Sequence, residues 1–172
     1  MSDVFYPAWI AGRPVPTGST AEAFHPYDGS VVGAHVVPTA DQVEEALAAA
    51  WAVRHEFAAT SAALRADALM HVSHRITERA EEIARLITAA NGKPIMWARA
   101  EAARAASTFR FAAEEARRWG GEMQRLDTDA ASGGRAAIIR RFPIGPVLGI
   151  SPFNFPLNLV AHKVAPALAV GA

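Results

Sequence analysis

Apolar residues recur every three or four positions through the middle of the chain, while both flanks break into short runs separated by glycine and proline. Val43, Leu47, Ala50 and Trp51 form one apolar stripe, the pattern of a helix with one face turned to a core. Thr39 precedes it with Gln42 three residues on, a spacing that lets each side chain bond the other's backbone amide and so caps the helix start. A second stripe of Leu64, Ala68, Val72, Ile76, Ala80, Ile83 and Ile87 predicts one helix over residues 61–90, with Arg65, Glu78, Glu81 and Glu82 on its polar side. Asn91-Gly92 supplies a stop, and Pro94 suits the first turn of a third helix reaching Trp119. The face of that helix, Ala98, Ala102, Ala105, Phe109, Ala112, Ala116 and Trp119, is mostly small residues, which allows another element to approach closely.

The flanks read differently. Residues 5–37 predict short strands, with turns at Ala11-Gly12 and Asp28-Gly29, where glycine tolerates positive φ and aspartate bonds its own backbone. After Gly120-Gly121, the runs EMQRLDTD and RAAIIRRF flank Ala131-Ser132-Gly133-Gly134 and predict a β-hairpin whose edges stay open to pairing. Residues 147–151, VLGIS, predict a short strand. Residues 157–170 predict a helix with Leu157, Val160, Val164 and Leu168 inward, despite Pro166. The sum is an α/β or α+β chain in which a parallel sheet is only begun.

Composition narrows the chemistry. The chain has 172 residues, 51% of them hydrophobic, enough for a sizeable core. Seventeen Lys and Arg balance seventeen Asp and Glu with no basic block, so nucleic acid is not an expected partner. The absence of cysteine excludes a disulfide, a thiolate metal site or a cysteine nucleophile from these residues. The first residues lack the pattern of a secretory signal, and no apolar run is long enough to span a bilayer. The expected location is therefore the cytoplasm, without membrane contact.

Asn154 in SPFNFP is the candidate catalytic residue. It falls between a predicted strand and a predicted helix, where α/β proteins commonly face a ligand. Its carboxamide can donate to an oxygen that gains negative charge, or it can cap the following helix; local pattern leaves both open. Ile150, Ser151, Pro152 and Phe153 precede it as a flat, partly apolar stretch able to receive a nucleotide, although no GxGxxG accompanies them. His71 and His74 have helical spacing without a ligand set, so no metal site is expected. Lys93 is available to an anion, but Asn91-Gly92-Lys93-Pro94 reads first as a helix connection.

RRFPIGPVLGISPFNFPLNLVAHKVAPALAVG closely resembles the NAD(P)-dependent aldehyde dehydrogenase superfamily, with support from AANGKP, from AEAARAASTFRFAAEEARRWGG, and from WIAGRP and FHPYDGSVVG near the start. The resemblance covers almost the whole chain and implies the N-terminal part of a coenzyme domain. Residues 1–121 would be its strands and helical shell, 122–142 an oligomerisation-type hairpin, and 143–172 the start of an incomplete Rossmann-like sheet. It also implies that Asn154 is the side-chain donor of an oxyanion hole, and that Ile150, Ser151, Pro152 and Phe153 line the nicotinamide side of an NAD or NADP pocket. Aldehyde substrate and a homo-oligomer are the implied partners, and SPFNFPLN is similar to branches oxidising lactaldehyde and semialdehydes. The family's cysteine, glutamate base and adenosine-side lysine find no counterpart before Ala172. The expectation is thus a portion of an enzyme that oxidises aldehydes to acids through a thioester and is inactive alone. The alternatives are a non-enzymatic oligomerisation module and the N-terminal half of a split enzyme.

Overall fold

The computed structural model describes residues 5–172. The first strands follow the turn chemistry. Strand β1 (Phe5–Tyr6) lies parallel to β5 (Val31–Val37), and β4 (Ser19–Phe24) pairs antiparallel with the other edge of β5. A separate hairpin joins β2 (Ala8–Ile10) to β3 (Arg13–Val15) through Ala11 at φ 50° and Gly12 at φ 76°. At the β4–β5 connection the Asp28 carboxylate accepts from the Ser30 amide at 3.0 Å, and Gly29 takes φ 70°.

Helix α1 (Ala40–Ala58) starts with both halves of its predicted box: Gln42 N donates to Thr39 Oγ1 at 3.2 Å and Thr39 N to Gln42 Oε1 at 2.9 Å. Its stripe is not a core face, however. Val43, Leu47 and Trp51 are exposed, and α1 has no buried residue at all. The expected single helix over 61–90 is two, α2 (Ala62–Glu78) and α3 (Ala80–Asn91), separated where Arg79 leaves helical geometry at φ −101°, ψ 15°. Gly92 ends α3 in the left-handed conformation at φ 74°, as predicted, and α4 (Ile95–Arg118) follows.

The core is a three-helix contact. Ala66, Leu69 and Ile76 of α2 meet Ala105, Ala106, Phe109, Ala113 and Ala116 of α4, and the third side is Ala161, Ala165 and Ala169 of α5 (Asn158–Val170). Alanine faces let helix backbones approach closely, which places polar groups of one helix within reach of another's backbone. Buried Ser73 of α2 thus donates to the Ala106 carbonyl of α4 at 2.8 Å. The expected face of α5 is rotated by one residue. Val160, Val164 and Leu168 are exposed, and Ala161, Ala165 and Ala169 are buried against α4. Leu64 and Ala68 of α2 likewise point outward. Pro166 is accommodated inside α5.

Strands β6 (Glu122–Arg125) and β7 (Ala136–Ile139) form the predicted hairpin, with Met123 opposite Ile138 and a short 3-10 turn at Ala130–Ser132 between them. Gly121 is held at φ 102°, and a side chain there would run into the Ile139 carbonyl. The strand expected over residues 147–151 does not form. A strand needs a neighbour to take its backbone hydrogen bonds, and none of the described strands lies beside it. The result is a mixed α/β chain of packed helices and small sheets.

Between α3 and α4, Glu81 accepts from Arg99 Nε at 2.8 Å and from Arg85 Nε at 2.9 Å. The hydrogen bond from Arg99, reinforced by both guanidinium charges, holds its carboxyl at about 2, against an ordinary 4.5. A carboxyl with a depressed folded-state pKa stabilises the fold above its unfolded value and loses that contribution as pH falls through the folded one. The link between α3 and α4 is therefore expected to be complete above pH 4.5 and to weaken between there and about 2. NMR titration of the Glu81 side-chain carbon checks this, and Arg99→Ala should move the midpoint back toward 4.5.

Candidate functional site

The segment 151–157 carries no regular secondary structure and runs from the irregular 140s into α5. It is nonetheless held closely, and the groups that hold it come from α4 and the α3–α4 connection. Glu101 of α4 is buried, on the same helical face as Ala98, Ala102 and Ala105. Its Oε1 accepts from the backbone N–H of Leu157 at 2.9 Å and of Asn158 at 3.1 Å. Those are amides at the start of a helix, which have no partner within it, and a carboxylate there also meets the positive end of the helix dipole. The cap of α5 is therefore a side chain from another helix, while the residue at its own cap position, Leu157, contributes none.

The other carboxylate oxygen of Glu101 is paired with Lys93, whose side chain is 11% exposed. A buried charge is costly unless paired and hydrogen-bonded, and both conditions are met. Lys93 Nζ also donates to the Asn154 carbonyl at 2.7 Å and sits 3.9 Å from the centre of the Phe155 ring. Asn91 Nδ2 donates to the Phe153 carbonyl at 2.5 Å. Residues 91–93, which in sequence read as a plain helix connection, thus grip the loop that carries Asn154.

Asn154 itself is exposed, and its carboxamide bonds no other described residue. The capping role that its position allows is taken by Glu101. What remains is an amide donor on a fixed backbone, open to a ligand. Ile150 and Phe153 are 75% and 61% exposed, and with Ser151 and Pro152 they make an open, non-helical edge beside it. Lys163 folds back along α5, donating to the Leu159 carbonyl at 3.3 Å with its stem against Gly149.

The sequence pointed to Asn154 and its neighbours but not to Glu101, and placed Lys93 only as a free cation. A signal was available. Glu101 falls three residues after Ala98 and four before Ala105, so a carboxylate stands in a stripe otherwise made of small apolar residues. Such a position requires a buried partner.

Residues 14–172 match the family described as the aldehyde dehydrogenase family. The 3-sulfolactaldehyde dehydrogenase of Priestia aryabhattai is 35% identical over 167 residues, 96% of this chain and 34% of that protein. Aldehyde dehydrogenase 21 from Physcomitrella patens, solved in complex with the reaction product succinate, superposes with a TM-score of 0.94 at 41% identity, covering 99% of this chain and 36% of the other. The NADP-dependent glyceraldehyde-3-phosphate dehydrogenase from Bacillus halodurans, solved with NADP, gives 0.89 at 32% identity, covering 96% and 36%; another matching structure holds NAD. The chain spans about a third of the length of these relatives.

Replacing Glu101 by leucine would leave Lys93 and two helix amides without their buried acceptor. Breaking such a pair from one side costs about 3–5 kcal/mol, and urea unfolding followed by circular dichroism should show a loss of that size.

Proposed function

The chain belongs to the aldehyde dehydrogenase family, and on that premise we propose that it supplies the oxyanion donor and part of the nicotinamide-side surface for NAD(P)-dependent oxidation of an aldehyde to a carboxylic acid. The observation that supports this most directly is the free, exposed carboxamide of Asn154 on a backbone held from both sides. Overall the reaction converts an aldehyde, water and the oxidised dinucleotide into an acid, the reduced dinucleotide and a proton. A thiolate adds to the carbonyl carbon, and the carbonyl oxygen takes up the electron pair. Asn154 Nδ2 then donates to that oxygen more strongly than to the neutral carbonyl, which lowers the barrier rather than merely binding substrate. Loss of hydride leaves a thioester, which water cleaves to the acid. The nucleophile comes from outside these 172 residues, which contain no cysteine.

NAD or NADP supplies the hydride acceptor when bound. The residues present fit its nicotinamide side: Ile150, Ser151, Pro152 and Phe153 offer exposed apolar edges and irregular backbone to a flat ring. They do not offer a phosphate cradle, because the amides at the start of α5 are occupied by Glu101. Small aldehydes are the favoured substrate class. The relatives' names point that way for those proteins, through sulfolactaldehyde and the succinate product.

A second role is favoured by the hairpin. Met123 and Ile138 face each other on β6 and β7 and are 76% and 78% exposed. An apolar cross-strand pair open to solvent is suited to contact with a second copy. This is the oligomerisation reading, and it is compatible with the first.

The chain alone is expected to yield no NAD(P)H from aldehyde. Joined to the remaining two thirds of the Physcomitrella patens relative, it should be active, and Asn154→Ala should lower kcat by about 10²–10³-fold, the loss typical of one oxyanion donor. Unchanged kcat in that variant would refute the assignment. For the hairpin, light scattering on the purified chain should report a dimer or larger species that Ile138→Glu converts to monomer.

A further inference from the structure

We infer that Lys93 and Glu101, with Asn91, are positioning residues that set the direction of the Asn154 carboxamide; the inference rests on the oxyanion reading above. The three backbone carbonyls at and beside Asn154 are all held. The carbonyl of Phe153 accepts from Asn91, and that of Asn154 accepts from Lys93. The carbonyl of Phe155 accepts from Leu159 N at 3.1 Å. The amides of Leu157 and Asn158 are taken by Glu101, and Pro156 just before them has no N–H and a fixed φ.

The anchor is as important as the bonds. Glu101 projects from α4 beside Ala98, Ala102 and Ala105, all fully buried, so the network is tied to a packed helix rather than to another loop. A purely structural staple would not require this chemistry. Apolar side chains of similar volume would pack α5 against α4 at least as favourably as a buried ion pair. They would not, however, fix two successive carbonyls and two helix amides at once. Lys93 alone joins the two functions, since one ammonium holds both Glu101 and the peptide oxygen of the residue whose side chain is to act. A displacement of about 1 Å in a reacting group can cost roughly 100-fold in rate, which is the scale on which such a clamp matters.

Backbone and side-chain amide relaxation of the ¹⁵N-labelled 172-residue chain tests this directly. In the parent chain, residues 153–155 should be as rigid as the helices, with order parameters near 0.85. In Lys93→Met they should fall below about 0.6, and the Asn154 side-chain amide resonance should move, while hydrogen-exchange protection of Ala165 and Ala169 is retained. Glu101→Gln keeps an acceptor for Leu157 and Asn158 but removes the ion pair, so it should loosen Asn154 without releasing α5. It decides the matter if Lys93→Met does not fold. Unaltered order at Asn154 in the folded variant would overturn the inference.

In the joined enzyme, Lys93→Met should lower kcat by roughly 10- to 100-fold with the aldehyde KM unchanged. Normal kcat there, beside a crippled Asn154→Ala, would sink the positioning role and leave the oxyanion reading intact. Full activity of Asn154→Ala would sink the oxyanion reading instead.

Discussion

The carboxylate of Glu101 decides how the end of this chain meets its middle. It is buried in a helix face of alanines, and its two oxygens are divided between Lys93 and the first amides of α5. Desolvating a carboxylate is expensive, so the arrangement is stable only while all of these partners are present. That condition carries geometric information. With α4 in place, the start of α5 can lie in one position, and so can the six residues that lead into it. The opposite end of α5 is held by the complementary charge: Arg65 Nε donates to the Ala169 carbonyl at 3.1 Å and its Nη1 to the Thr60 carbonyl at 2.5 Å. A carboxylate at the helix start and a guanidinium near its end both oppose the helix dipole.

The alanine contact explains why these polar reaches are short. Between α2, α4 and α5 most of the buried contact residues are alanine, with Leu69, Ile76 and Phe109 among them, and Val160, Val164 and Leu168 of α5 are turned away. Burying alanine yields less per residue than burying leucine or phenylalanine. In exchange the helix backbones come close enough for Ser73 and Arg65 to bond carbonyls of neighbouring helices. Precision at the loop thus begins with small residues far from it. The same choice leaves Val160, Val164 and Leu168 facing outward.

Local signals were legible in the sequence where the physics is local. Thr39 with Gln42, the glycine at 92 and the Asp28-Gly29 turn each act within a few residues, and each stands as expected. Elements that depend on a partner were less legible. The helix over 157–170 is apolar on two adjacent stripes, and only the surface of α4 selects the alanine one. Residues 147–151 have the composition of a strand but no neighbouring strand in the chain. The break at Arg79 has neither glycine nor proline to announce it. At the site, Asn154 was visible because of its motif, whereas its support was split between residues 91–93, 101 and 153–158, which only the fold unites.

That division of labour bears on how a dinucleotide fold can be built here. The start of a helix after a strand-like segment is a natural seat for phosphate, because its free amides and dipole attract anions. In this chain that seat already holds an anion, the Glu101 carboxylate. A second anion would have to displace it, leaving Lys93 without its partner and releasing the Asn154 loop. The same amides therefore cannot both fix the loop that carries Asn154 and bind a pyrophosphate. Ile150 and Phe153, beside that loop, stay exposed. Phosphate recognition then falls to groups other than the start of α5.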